Sequence, residues 1–159
     1  MSIAKIMGAA LVIIGGALLS LTLNKRADME SELDYGWLAM LRYIKNQVDC
    51  FSLPITEILK KCDGELFKRC GFGDGEPPKD ICSLMSGASF SDKETERMLK
   101  EFFGSFGRFY RDEQVAQCQK YISMLESHTE SKRRQLPVRK KLNTTLIMSV
   151  SIAIAILLL

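Results

Sequence analysis

The 159-residue sequence has a single histidine, His128, and its five cysteines include no Cys-x-x-Cys pair. Zinc-finger and histidine-rich spacings are thereby excluded, and no metal or other cofactor is expected. Cys50, Cys62, Cys70, Cys82 and Cys118 are odd in number and widely scattered, which does not suit a secreted disulfide scaffold. They are expected to be small buried hydrophobes in a reducing compartment. Strand-type alternation is missing along the whole chain. Charge is missing from two stretches, Ile6 to Leu23 and Leu142 to Leu159, each 18 residues long.

Each stretch is about the length that crosses a bilayer as a helix. Lys5 and the apolar residues after it have the outline of a signal peptide. The apolar run, however, continues through Leu18, Leu19, Leu21 and Leu23 and stops at Asn24, Lys25 and Arg26, a stop-transfer flank. An uncleaved anchor is therefore expected. The domain organisation predicted is a transmembrane helix over 1–24, a cytosolic helical domain over 25–141 and a second transmembrane helix over 142–159. Between the apolar runs lie about 118 residues, enough for one modest core and too few for a two-domain enzyme.

Basic residues set the orientation. Lys25, Arg26 and the six from Lys132 to Lys141, among them Arg139, Lys140 and Lys141, flank the membrane on the side of the central domain, against Lys5 on the other. The middle of the chain should face the cytosol. From Asn24 to Ser131 there are 15 Lys or Arg against 19 acidic residues, whereas Lys132 to Lys141 carries only positive charge. Basic residues gathered beside the bilayer suit anionic lipid headgroups and make a poor nucleic-acid site, so no nucleic-acid partner is expected.

The central periodicity is helical. Leu33, Trp37, Met40, Leu41, Ile44, Val48 and Phe51 step by three or four and predict an amphipathic helix over Met29 to Cys50. Leu53 and Pro54 interrupt it, and Pro54 opens a helix carrying Ile55, Ile58, Leu59 and Cys62. Short helices are expected over Glu65 to Cys70 and around Ile81, Leu84 and Met85. The loop Gly71 to Lys79 has three glycines, but it lacks the strand, the helix N-terminus and the Lys-Ser/Thr pair of a phosphate loop. Ser91 and Glu94 form an S-x-x-E capping box opening a helix with Met98, Leu99, Phe102, Phe103 and Phe106 on its apolar side. A last helix over Asp112 to Gln135 carries a near-heptad seam of Val115, Cys118, Ile122, Leu125 and Thr129. Pro137 is expected to separate it from the membrane helix or to kink the join.

The fold class predicted is all-α, a membrane-tethered helical bundle whose first and last long helices pack antiparallel. Catalysis finds little support. His128, within Leu-Glu-Ser-His-Thr-Glu, reads as a solvated face rather than part of a triad, and Asp112 and Glu113 are adjacent and point to different helix faces. The membrane helices carry small-xxx-small pairs, Ala4 with Gly8, Gly16 with Ser20, Ser149 with Ala153, and Ser151 with Ala155, which permit close helix approach, either between the two membrane helices of one chain or in a homo-oligomer. The reading is a non-enzymatic scaffold, with a membrane-anchored signalling adaptor unrelated to secretion as the alternative.

In order and length these features resemble the stage III sporulation protein AB family of endospore-forming bacteria. The likeness rests on Gly15 and Gly16 in the first anchor, Lys25 and Arg26 after it, and a helix with Leu41, Ile44 and Val48 leading to Leu53, Pro54 and Ile55. It is strongest from Leu99 to Glu126, where L-K-E-F-F-G-S-F-G, with Phe102 and Gly107, is followed by Gln114. Tyr110 stands where the family usually has an acidic residue. The resemblance implies membership of a complex made in the mother cell that connects it to the forespore, and similarity to the F-domain platform proteins of type II secretion and type IV pilus machines. By that likeness the protein would sit in the mother-cell membrane, dock a cytosolic hexameric ATPase and contact membrane and ring components of the complex. Its exposed charged residues are expected to form the docking surface.

Overall fold

A computed structural model describes residues 3–73 and 76–158 of the chain. Among the described residues there are six helices and no strand: α1 (Ile3–Phe51), α2 (Ile55–Lys60), α3 (Gly64–Arg69), α4 (Ile81–Gly87), α5 (Lys93–Ser105) and α6 (Arg111–Leu158). The all-α expectation is met. Side-chain readings for Ala4 and Lys5, and any for Leu159, lie outside the described residues.

Two of the helices differ from expectation in length. α1 runs through the junction expected at 24/25 because Asn24 to Met29 contains neither glycine nor proline, so nothing stops the hydrogen-bond ladder. α6 runs through the junction at 141/142 with Pro137 inside it. Proline there removes one backbone donor, a local loss that the long ladder on either side absorbs at an exposed position.

The chain divides into two compact units, Met1–Met29 with Lys132–Leu159, and Glu30–Ser131. In the first unit, α1 and α6 pack antiparallel. Gly16 is buried against Ser151, Ser20 Oγ donates to Thr144 Oγ1 at 2.9 Å, Asn24 Nδ2 donates to the same oxygen at 3.1 Å, and Lys140 Nζ meets Asp28 Oδ1 at 2.5 Å. The apolar parts of both helices are long enough and apolar enough to cross a membrane, with mean hydropathies of 1.8 and 1.4. Their large side chains, such as Leu11, Leu18, Leu146 and Ile156, are exposed rather than packed inside the unit.

The second unit has a true core. Trp37, Met40, Leu41, Ile44 and Val48 of α1 pack with Ile58 and Leu59 of α2, Phe67 of α3, Leu84 of α4, Leu99, Phe102 and Phe103 of α5, and Cys118, Ile122 and Leu125 of α6. Here too α1 and α6 run antiparallel, tied by Arg42 to Glu126, Lys45 to Gln119 at 2.7 Å and Asp49 to Arg111. The predicted stripe on α1 is the core face from Trp37 to Val48, whereas Leu33 is only half-buried and Phe51 is exposed. The chain leaves the helix there and Ser52 takes a φ of 51°, which turns the backbone away.

Two further expectations need correction. α5 is capped by Asp92, whose carboxylate accepts from the Thr95 N–H at 2.8 Å, not by Ser91. Ser91 Oγ instead donates to Asp34 Oδ1 in the interior, and Glu94 pairs with Arg97. Of the cysteines, all free, Cys70 and Cys118 are buried and Cys62 partly so, whereas Cys50 and Cys82 are exposed. Within the loop Gly71–Lys79, Asp74 and Gly75 lie outside the described residues. Phe72 there packs edge-on to Phe67 at 5.7 Å.

Candidate interaction sites

The chain turns at Ser52 and Leu53 after α1, and Pro54 caps α2 in an extended conformation, its carbonyl accepting from the N–H groups of Glu57 and Ile58 at 3.0 and 3.1 Å. Proline suits this place because its fixed φ is ready for a helix start and its missing donor is not needed. The second turn, between α5 and α6, is built on Gly107, whose φ of 81° lies where a side chain would clash with its own backbone. Its N–H donates to Gln114 Oε1 at 2.8 Å, and Gln114 Nε2 donates to Gln117 Oε1 at 2.8 Å. Gln117 Nε2 in turn donates to Ser105 Oγ. Gln114 is buried, so its amide is a fixed strut and not a free polar head.

These two turns meet. Together they line a groove of about 380 Å³, walled by Val48, Leu53, Pro54, Ile55, Phe106 and Phe109, with Ser52, Gly107, Arg111 and Gln114 at its edges. Arg111 closes one edge, its guanidinium donating to the Asp49 carbonyl and to Asp49 Oδ1 at 3.1 Å. That places a cation on a carbonyl left open at the C-terminal end of α1, where the helix dipole favours positive charge. Phe51, Phe109 and Tyr110 stand exposed around the groove, Tyr110 at 87%. The groove wall is thus apolar and aromatic, with Phe109 both lining it and open to solvent.

Of the motif residues, Leu53, Pro54, Ile55, Gly107 and Gln114 come together here, although about sixty residues separate the two turns. Phe102 does not. It is fully buried, with its ring against Phe103, Phe106 and Tyr121 at centroid distances of 4.9, 5.5 and 5.5 Å. Sequence reasoning had no place for Phe109. The available signal was the number of aromatics from Phe102 to Tyr110, five in nine residues, more than one helix face can bury.

The remaining site residues lie in the first unit. Gly16 and Ser20 are on the seam between α1 and α6. Gly15, Ser149 and Ala153 are exposed, and nothing lies within 4 Å of a side chain built at Gly8 or Gly15. Among the basic residues, Lys140 is committed to Asp28, while Lys25, Arg26, Arg139 and Lys141 are exposed.

A polar cluster joins three helices of the second unit. His128 Nε2 lies 3.1 Å from Asp92 Oδ2, and Ser91 Oγ reaches Asp34, Asp92 and Thr95. Asp34 is fully buried and accepts from both Ser91 and Thr95. Carboxylates anchor these contacts: Asp34 accepts from two hydroxyls and Asp92 meets the imidazole and caps α5, while Ser91 Oγ lies within reach of both carboxylates and of the Thr95 hydroxyl. That is the arrangement of a structural tie, with the imidazole bracing the cap of α5 from α6.

The family model for stage III sporulation protein AB matches residues 81–159, about half of the chain. The chain belongs to the stage III sporulation protein AB family. The matched segment opens at the first residue of α4 and carries α5, the Gly107 turn and all of α6, so it holds one wall of the groove, Gln114 and the C-terminal apolar run. Membership in this sporulation family assigns the protein a role in sporulation. No curated protein and no solved structure matches the chain.

Proposed function

We propose that this protein is a non-enzymatic platform of the mother cell to forespore channel complex, anchored by α1 and α6 in the mother-cell membrane and docking a cytosolic ATPase on its central unit. The observation that carries this reading is the apolar groove between the Leu53–Pro54–Ile55 turn and the Phe106–Phe109 turn. Interfaces centre on aromatic and aliphatic anchors ringed by polar groups, and a groove held open by a buried glutamine and a clamped arginine is pre-formed for such an anchor. The exposed carboxylates Asp112 and Glu113 and the cation Arg108 supply a charged rim. Other membrane and ring components of the complex would meet the anchors.

The test is binding of the cognate sporulation ATPase to the full chain in lipid nanodiscs, followed by interferometry. Ile55→Asp and Phe109→Asp should each weaken binding at least ten-fold, about 1.4 kcal/mol or more, the scale of a central interface anchor. Charge reversal at Asp112 and Glu113 should mainly change the salt dependence. Binding unaffected by both groove variants would refute docking at this surface.

A further inference from the structure

Along the seam of the first unit the chemistry changes in steps, from the Gly16–Ser151 contact to the Ser20–Thr144–Asn24 hydrogen bonds to the Asp28–Lys140 ion pair. That gradient, from small residues in close contact to side-chain hydrogen bonds to an ion pair, is the one a helix pair meets where hydrocarbon gives way to headgroups. Lys140 is turned inward to Asp28. Lys25 and Lys141 are exposed, and among the described residues neither has a carboxylate partner.

Each of these two lysines follows a seam residue by one position, Lys25 after Asn24 and Lys141 after Lys140. One residue is a 100° step around a helix, and in an antiparallel pair equal steps carry both side chains to the same side of the seam. The same helix faces continue from the lysines into the apolar run. Leu21 and Leu18 lie four and seven residues before Lys25, and Met148 and Ile152 lie seven and eleven residues after Lys141. Leu18, Leu21 and Ile152 are exposed and Met148 is half-buried. Two unpaired cations therefore stand at the foot of an apolar wall two chains wide.

We propose that this side of the seam is a binding site for one anionic phospholipid, its phosphate held between Lys25 and Lys141 and its acyl chains lying along Leu18 and Leu21 and along Met148 and Ile152. The inference rests on the membrane-anchored reading of the function. Lysine ammonium groups recognise the phosphate as point charges, and the apolar wall distinguishes a lipid from free phosphate.

The experiment reconstitutes the full chain in phosphatidylcholine vesicles with a trace of spin-labelled phosphatidylglycerol or spin-labelled phosphatidylcholine. The fraction of each label immobilised by the protein gives their relative association. Wild type should prefer phosphatidylglycerol by roughly five-fold or more, the effect of one or two basic residues near the surface. Lys25→Gln with Lys141→Gln should abolish the preference, while Arg139→Gln, on the other side of the seam, should leave it unchanged. Inorganic phosphate added at constant ionic strength should not reduce it.

No preference in wild type, or a preference that survives the double substitution, overturns the site. An equal loss in Arg139→Gln shows diffuse charge attraction, and displacement by inorganic phosphate shows a free-anion site; each also overturns the proposal. If neither label is immobilised, the membrane-anchored reading itself fails, an outcome distinct from equal immobilisation of the two labels.

Discussion

The side-chain carbonyl of Gln114 accepts the backbone N–H of Gly107 at 2.8 Å and so fixes the turn that carries Phe106 and Phe109 to the groove. The two motif positions act as one device. The glycine supplies a left-handed backbone and the buried glutamine holds it there, with Gln117 and Ser105 continuing the chain of bonds. The position of the groove wall thus depends on a residue on α6 that reaches back across the turn.

Replacing Gly107 by alanine should cost about 1–2 kcal/mol through its positive φ. Gln114→Ala should cost about 1 kcal/mol, the net worth of the lost bond at a turn whose N–H can find water. Thermal unfolding followed by circular dichroism checks both. If the groove docks the ATPase as proposed, each variant should also weaken that binding beyond its effect on stability, because the aromatic wall loses its support.

Asp92→Ala should destabilise the protein by about 1 kcal/mol or more, since it removes the N-cap of α5 and the partner of His128 together. Ser91→Ala should cost about 1–3 kcal/mol for a different reason, the loss of a donor to the buried Asp34. Amide exchange separates them. Asp92→Ala frees the first turn of α5, whereas Ser91→Ala loosens the packing of α1 against α5.

On the membrane seam, Gly16→Leu should drive α1 from α6, because a Cβ there overlaps Ser151 Oγ and comes within 2.9 Å of Ser151 Cβ. Ser20→Cys with Thr144→Cys places two thiols where the hydroxyls now hydrogen-bond, and this pair should cross-link under mild oxidation. Adding Gly16→Leu should suppress the product. Peptide mass spectrometry identifies the linked residues.

Burial pushes the thiols of Cys62 and Cys118 up to about 11 from 9.0, and raises that of Cys70 as well. All three should resist alkylation in the folded protein at neutral pH, while the exposed Cys50 and Cys82 react. Because the folded state holds the buried protons more tightly than the unfolded chain, this stabilisation is complete below about 9. It is lost as pH rises through about 11. Denaturant midpoints measured across that interval should fall.

Much of this architecture was legible because it is periodic. The stripe from Trp37 to Val48 and the seam from Cys118 to Leu125 state their own faces, and the uncharged ends need only be measured against a bilayer. What escaped was decided by partners distant in sequence. Ser91 and Asp92 are equally good caps locally, and only the arrival of Asp34 removes Ser91 from that role. Leu53, Pro54 and Ile55 read as a helix interruption until the turn at Gly107 is placed beside them. Pro137 reads as a break or a kink, yet one missing donor at an exposed position is too small a loss to divide α6.

The most direct test places a photo-crosslinking amino acid at Phe109 of the full chain in sporulating cells, with Lys120 on the exposed side of α6 as the control position. A platform that docks its ATPase in the groove should give a covalent product with that ATPase from Phe109 and none from Lys120. Absence of the product from Phe109, with the protein at its normal level in the membrane, would contradict the account, as would equal yields from both positions.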